Sequence, residues 1–210
     1  MYTFKAAYVK DDYDILLYDD DTFTFEPGVT CLVGCNGSGK TTLLKQLKTQ
    51  LKKEKVQVYE YSAINRHRDL IGQASLSHDV NFAIEALTTN YLSEGEKIKE
   101  TLAQFAPELG QFVLSLKDNV GWILFDSIDS GFSIDNVVEL RDFIDNVVIP
   151  DAKSRGTELY ILYAANAFEL IRDYDCIDVQ TAKHLKFCDY EDYKDYVLAS
   201  REVKESRISN

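Results

Sequence analysis

The residues with the clearest chemical potential form the stretch GCNGSGKT, which begins at Gly34. Glycine at positions 34, 37 and 39 lets the backbone turn its N–H groups inward, where a Cβ atom would clash. Lys40 follows as a point charge for the β- and γ-phosphates of a nucleotide, and the Thr41 hydroxyl is a potential magnesium ligand. The spacing G-x-x-x-x-G-K-[ST] therefore predicts a phosphate-binding loop.

The sequence on both sides of this loop predicts the strand and the helix that flank such a phosphate site. The apolar run VTCLV precedes it as a buried strand, and leucines recur at helical spacing from Lys40 to about Lys53. The positive end of that helix dipole adds to the attraction for phosphate. The residues predicted to bind nucleotide within the loop are Gly34, Asn36, Gly37, Ser38, Gly39, Lys40, Thr41 and Thr42.

A carboxylate for the magnesium ion is predicted at Asp126. This residue ends the run VGWILFD, whose continuous apolar character is typical of a strand buried in a parallel sheet. An aspartate at the carboxyl edge of such a sheet can meet a phosphate loop that follows another strand. Thr41 and Asp126 are therefore the predicted magnesium ligands, and the alternative for Asp126 is a cap of the following turn.

Two further stretches narrow the class of protein. LSEGE, which begins at Leu92, resembles the signature motif of ATP-binding-cassette (ABC) ATPases, and DSIDSGFS, which begins at Asp126, is similar to their Walker B motif and D-loop. The order of the motifs resembles SMC-like and recombination-type heads, or stand-alone AAA-family ATPases. The resemblance implies an α/β P-loop NTPase that binds ATP, releases ADP and uses Mg²⁺ as its cofactor.

The resemblance also implies how two copies of the chain would work together. Two heads would sandwich two ATP molecules, so that the signature of one head faces the γ-phosphate held by the other. Ser93, Gly95 and Glu96, at a helix N-terminus, would supply this second anion site. ATP would then favour a homodimer that ADP releases. A simple helix cap is the alternative interpretation of the same stretch.

The chain departs from the family pattern at the residues that would activate water. Ser127 stands where the family has a glutamate, and serine is a poor general base at neutral pH. Asn166, with Ala165 as the alternative, lies where the family has a switch histidine, and the Asn166 amide can hydrogen-bond a γ-phosphate. Asp129 either replaces the missing carboxylate or is a turn residue. The predicted catalytic set is Lys40, Asp126, Ser127 and Asn166, and we expect hydrolysis to be slow or to depend on a partner.

Other features of the family have weaker counterparts in this chain. Gln73 is the nearest candidate for the glutamine that follows the strand ending near Tyr61. Among the aromatic residues upstream of the loop, Tyr13 or Tyr18 could stack on adenine. Packing in the core is the more frequent role of aromatic residues in strands, and it stays open as the alternative.

An α/β framework is needed to bring these residues together. The chain opens with the strand-like stretches YTFKAAYV and TFTFE and then alternates strands with helices, which predicts a mostly parallel sheet. We expect one domain over residues 1–210, with an N-terminal antiparallel β part, a helical insertion at about 63–118 that carries the signature, and an exposed C-terminal helix. The helix after Asp126 should turn these side chains inward: Ile134, Val137, Val138, Ile144, Val147 and Val148.

Composition limits the partners of the chain. Its formal charge of −12 disfavours autonomous binding to nucleic acid, because an acidic surface repels phosphodiesters. The basic run from Lys45 to Lys55 is better explained as the solvated face of a helix. No signal peptide or membrane-spanning run is evident, so we expect a cytoplasmic protein without direct membrane insertion. An unidentified protein partner, a transporter for example, and an ATP switch that never hydrolyses remain alternatives.

Overall fold

The computed structural model describes residues 1–9, 16–62, 107–116, 119–129 and 133–208. Its main sheet contains β3 (Gly28–Val33), β4 (Gln57–Ser62), β5 (Val120–Asp126), β6 (Glu158–Ala164), β7 (Asp175–Asp178) and β8 (His184–Leu185). The strands β1 (Tyr2–Lys5) and β2 (Thr22–Phe25) form a separate antiparallel pair. The helices are α1 (Lys40–Lys53), α2 (107–115), α3 (Ile134–Phe143), α4 (Ile149–Ser154), α5 (Phe168–Ile171) and α6 (Tyr190–Ile208).

The main sheet has the strand order β4-β5-β6-β3-β7-β8. All neighbouring strands from β4 to β7 pair in parallel, and β8 pairs with β7 in the antiparallel direction. Register aligns Leu32 and Asp126 with the same residue of the strand between them, Ala164. The carboxyl ends of β3, β5 and β6 therefore share one edge, and the predicted α/β fold with a mostly parallel sheet is confirmed.

Alternating side chains of the buried strands separate the core into two layers. In β5, Trp122 and Leu124 pack on one face of the sheet, and Ile123 and Phe125 pack on the other. The first face is covered by α1, whose leucines have the predicted helical spacing, and by the antiparallel pair. Trp122 stacks on Tyr160 with ring centroids 4.4 Å apart. Each such buried side chain contributes roughly 1.5–3 kcal/mol of hydrophobic stabilisation.

The helix after Asp126 is only partly as predicted. Val137, Ile144 and Val148 are buried, whereas three of the predicted inner residues are exposed to solvent: Ile134, Val138 and Val147. Adjacent helical residues point about 100° apart, so two consecutive valines do not both face the sheet. A π-helical turn over Ile144–Val148 joins α3 to α4, and its wider hydrogen-bond spacing breaks the 3.6-residue period used in the prediction.

The predicted insertion falls largely outside the described residues. Its part at 107–115 is helical and packs through Leu109 and Val113 against the core. The signature residues Ser93, Gly95 and Glu96 lie outside the described residues, as does Gln73. Within the ranges that the structure describes, every helix is too short or too polar to cross a membrane.

The C-terminal helix is largely exposed, as predicted, and only a few of its positions are buried. In the structure, Tyr193 and Ser200 of α6 are buried, and the aromatic rings of Phe187 and Tyr193 meet edge to face at 5.2 Å. A few buried contacts, rather than a continuous apolar stripe, therefore hold this largely exposed helix on the domain.

Candidate functional site

The predicted phosphate loop connects β3 to α1. Gly34, Gly37 and Gly39 have φ angles of 143°, 74° and 102°, which L-residues with side chains rarely adopt. A Cβ atom on Gly34 would lie 2.6 Å from the Ser38 Oγ atom, so space as well as backbone angle requires glycine there. The chain thus turns tightly at the carboxyl edge of the sheet and leads its N–H groups into the first turn of α1.

Lys40 lies across this loop. Its Nζ atom donates hydrogen bonds to the carbonyl oxygens of Gly34, at 2.6 Å, and Cys35, at 3.2 Å. Burial lowers the pKa of Lys40, and the neighbouring Asp129 and Asp126 partly oppose this by favouring the charged form. The loop therefore holds a desolvated cation close to two carboxylates, and an anion entering the loop would compete with its carbonyls for that cation.

Thr41 and Asp126 meet as predicted for a magnesium pair. The Thr41 Oγ1 atom donates to Asp126 Oδ1 at 2.8 Å, and Asp126 is buried at the end of β5. Among the described residues, no group of three or more His, Cys, Asp or Glu side chains could hold a metal ion. A hydroxyl and one carboxylate nevertheless fit magnesium, which takes one or two protein ligands and completes its shell with water and phosphate oxygens.

The segment after Asp126 has an unusual backbone. Ser127 has a φ of 55°, in the left-handed region, and its N–H donates to the Ala164 carbonyl at 2.9 Å. Its hydroxyl donates to Asp126 Oδ1 at 3.5 Å. The Ser127 side chain has no carboxylate. Ser127 is therefore held near the Thr41–Asp126 pair by the strand beside it, but its side chain offers no base to a water molecule.

Asn166 is placed between the loop strand and the Asp126 strand, because it follows β6. Its N–H donates to Asp129 Oδ2 at 2.6 Å, and its carbonyl accepts from the Tyr193 hydroxyl at 3.0 Å. Asn166 is exposed and lines a cavity of about 690 Å³, whose other lining residues are Cys35 and Asn36 of the loop and residues of α6. Hydrogen bonds fix the main chain of Asn166, and the residue borders the same cavity as Cys35 and Asn36.

The C-terminal helix contributes contacts to the loop that the sequence prediction missed. The Ser200 Oγ atom accepts the N–H of Cys35 at 3.2 Å and donates to Gln180 at 3.4 Å. The Lys204 Nζ atom donates to the Asn36 carbonyl at 3.1 Å. No local sequence pattern predicts these contacts, because Ser200 is 165 positions away from Cys35 along the chain.

Tyr18 contacts the phosphate loop at Gly39. Its hydroxyl donates to the Gly39 carbonyl at 3.1 Å, and its ring meets Phe23 edge to face in the core. A Cβ atom on Gly39 would lie 3.0 Å from the Tyr18 ring. The structure therefore favours core packing over adenine stacking for Tyr18, and Tyr13 lies outside the described residues.

Comparison with known proteins identifies one family. The family described as "AAA domain" matches residues 23–167, a stretch that runs from β2 through the phosphate loop and Asp126 to the residue after Asn166. No curated protein matches the chain.

Two solved structures have limited similarity to the chain. A DNA replication initiation factor is 16% identical, with a TM-score of 0.36, over 73% of this chain and 40% of that one. AMPPCP-bound DnaA from Aquifex aeolicus is 14% identical, with a TM-score of 0.35, over 87% of this chain and 46% of that one. This chain thus spans less than half the length of either protein.

Proposed function

The chain belongs to the AAA domain family of P-loop NTPases, and we propose that it binds ATP with magnesium and hydrolyses it slowly. The observation that carries this proposal is the geometry of the loop together with the Thr41–Asp126 contact at 2.8 Å. A glycine-shaped cradle, a buried lysine and a magnesium pair occur at one edge of the sheet. No single one of these features specifies a nucleotide, but their combination fits a bound triphosphate.

Each loop residue has a separate task in this proposal. Backbone N–H groups from Asn36 to Thr42 bind phosphate oxygens, and the Lys40 ammonium pairs with the β- and γ-phosphates. Thr41 and Asp126 would hold magnesium, which neutralises charge on the β- and γ-phosphate oxygens when it is bound. Lys40 must exchange its two carbonyl partners for phosphate oxygens, and the greater charge of the phosphate favours that exchange.

Slow hydrolysis follows from Ser127. A general base contributes roughly 10²–10⁴-fold to rate, and the Ser127 hydroxyl is too weak an acid–base group to supply that factor at neutral pH. The Asn166 amide is a hydrogen-bond donor suited to the γ-phosphate, and Asn166 lines the same cavity as Cys35 and Asn36 of the loop. Binding of nucleotide is therefore better supported than rapid turnover. The same observation favours a second candidate function, an ATP-switched binding module that does not hydrolyse.

The ABC-type arrangement goes beyond family membership and is part of the proposal. In it, one domain over residues 1–210 carries a helical insertion at about 63–118, and Ser93, Gly95 and Glu96 face the ATP held by a second copy. Its support is the order of motifs along the sequence. The proposal also includes a cytoplasmic location and an unidentified protein partner, and a role as the ATP-binding subunit of a transporter is its alternative.

Sedimentation velocity with ATP, ADP or no nucleotide, each with Mg²⁺, tests the dimer. We expect a dimer with ATP and a monomer with ADP, and we expect the Ser93→Arg variant to bind ATP as a monomer because a bulky cation blocks the interface. A monomer under all conditions would reject the sandwich arrangement. A dimer that forms without phosphate release would select the non-hydrolysing switch.

A further inference from the structure

A second carboxylate stands three residues beyond Asp126, in the segment that leads from β5 to α3. The Asp129 Oδ2 atom accepts the N–H groups of Asn166, at 2.6 Å, and Ala167, at 2.7 Å. It thereby joins the carboxyl ends of β5 and β6, which are neighbours in the sheet. Because β6 also lies beside β3, Asp129 is held at the edge that carries the phosphate loop.

The other oxygen of this carboxylate has no partner. Among the described residues, Asp129 Oδ1 is a buried atom without a hydrogen bond. Buried carboxylate oxygens are normally bonded, since an unsatisfied one costs free energy. Burial lowers the pKa of Lys40, and the charge of Asp129 partly opposes that effect. Asp129 Oδ1 is therefore a spare acceptor at the sheet edge that carries the phosphate loop.

The other aspartates at this edge are already engaged. Asp126 Oδ1 accepts the Thr41 hydroxyl, and this carboxylate is committed to the magnesium pair. Asp178, at the end of β7, accepts the N–H of Gln180 on one oxygen and the Thr181 hydroxyl on the other. Asp129 combines a fixed orientation with a buried acceptor atom that has no hydrogen bond.

We propose that Asp129 is the general base for the slow ATP hydrolysis, because it is a carboxylate two residues beyond the position of the glutamate that Ser127 replaces. This inference rests on the proposed ATPase function. In the step, the water oxygen bonds to the γ-phosphorus while the bond from that phosphorus to the β–γ bridging oxygen breaks, its electron pair staying on ADP. Asp129 Oδ1 accepts the proton of the water and later gives it to solvent. The two N–H groups on Oδ2 keep Oδ1 oriented for this transfer.

The test is Asp129→Asn, which keeps the shape of the side chain. The amide oxygen still accepts the two N–H groups, whereas the amide nitrogen at the former Oδ1 position accepts no proton. We expect ATP affinity within about 3-fold of wild type, an unchanged melting temperature and phosphate release at least ~10-fold slower, below the roughly 10²–10⁴-fold that a well-placed general base contributes. Asp129→Ala removes the hydrogen bonds as well, so it separates loss of structure from loss of the base.

Asp20→Asn is the matched control. Asp20 also accepts a backbone N–H, from Thr22, but it lies in an exposed turn beside the antiparallel pair. We expect it to bind and hydrolyse ATP like wild type.

Titration of a fluorescent ATP analogue in the same samples separates the two proposals. Phosphate release by Asp129→Asn within 3-fold of wild type would overturn the role of Asp129. So would a wild-type chain that binds ATP and releases no more phosphate than the Lys40→Ala variant. Absence of ATP binding by wild type would instead reject the proposed function itself.

Discussion

The phosphate loop and the segment that begins at Asp126 are two halves of one site, and they differ in how their geometry arises. The loop is built from consecutive residues, and Lys40 bonds to Gly34, only six positions away. The second half is assembled from two strands, because Asp129 bonds to residues 37 and 38 positions further along the chain. The half that would bind phosphate is local and complete, whereas the half that would activate water is non-local and altered. Binding and turnover can therefore be separated by mutation.

The largest effect on ATP binding should come from the phosphate loop, which is the local half of the site. We expect Lys40→Ala to weaken ATP binding by more than ~100-fold, because a buried charge pair with phosphate contributes several kcal/mol. Lys45→Ala, at an exposed position of the same helix, is the control and should bind like wild type. Fluorescence titration measures both. Equal affinity of the two variants would show that nucleotide does not enter this loop.

Asp126→Asn should weaken ATP binding when magnesium is present and have little effect on ATP binding when magnesium is absent. The amide keeps the hydrogen bond from Thr41 but loses the charge that attracts the cation. We expect ATP affinity to fall roughly 10- to 100-fold in the presence of Mg²⁺ and to change little in EDTA. Calorimetric titration under the two conditions provides the comparison. A loss of ATP affinity of the same size under both conditions would show that Asp126 supports the fold rather than binding of the cation.

A smaller effect is expected at Asn166, and only on turnover. Its contacts with Asp129 and Tyr193 use main-chain atoms, so Asn166→Ala preserves them. Loss of one side-chain hydrogen bond to the γ-phosphate should slow phosphate release by about 10-fold, equivalent to roughly 1.4 kcal/mol. ATP affinity should stay within about 2-fold. Loss of affinity with unchanged turnover would contradict the assignment of this residue to the water-activating half.

The smallest effect on nucleotide binding should come from α6, which contacts the loop through Ser200 and Lys204. Ser200→Ala leaves the buried N–H of Cys35 unsatisfied and should lower the free energy of unfolding by about 1–3 kcal/mol. We expect ATP affinity to change less than about 3-fold, because the Lys40 contacts remain. Ser206→Ala, whose hydroxyl donates to the Val203 carbonyl within the same helix, is the control. Thermal unfolding with and without ATP measures both effects.

Prediction from sequence succeeded where short-range rules determine structure. Three glycines with a following lysine predicted the loop, and the apolar run ending at Asp126 predicted the buried strand beside the sheet edge. Strand order is a tertiary property, so the position of Asn166 between β3 and β5 followed only from the structure. The docking of Ser200 on Cys35 was missed because one buried hydroxyl leaves no periodic signal. Tyr18 could not be assigned because core packing and stacking require the same residue type.

The central claim is an intact phosphate cradle beside an altered water-activating group. Binding of ATP–Mg²⁺ and phosphate release, measured together on the wild-type chain, test it most directly. The account predicts saturable binding that requires Mg²⁺ and Lys40, with turnover far below the ~10 per second typical of enzymes. Turnover near that value, or no saturable binding, would contradict it.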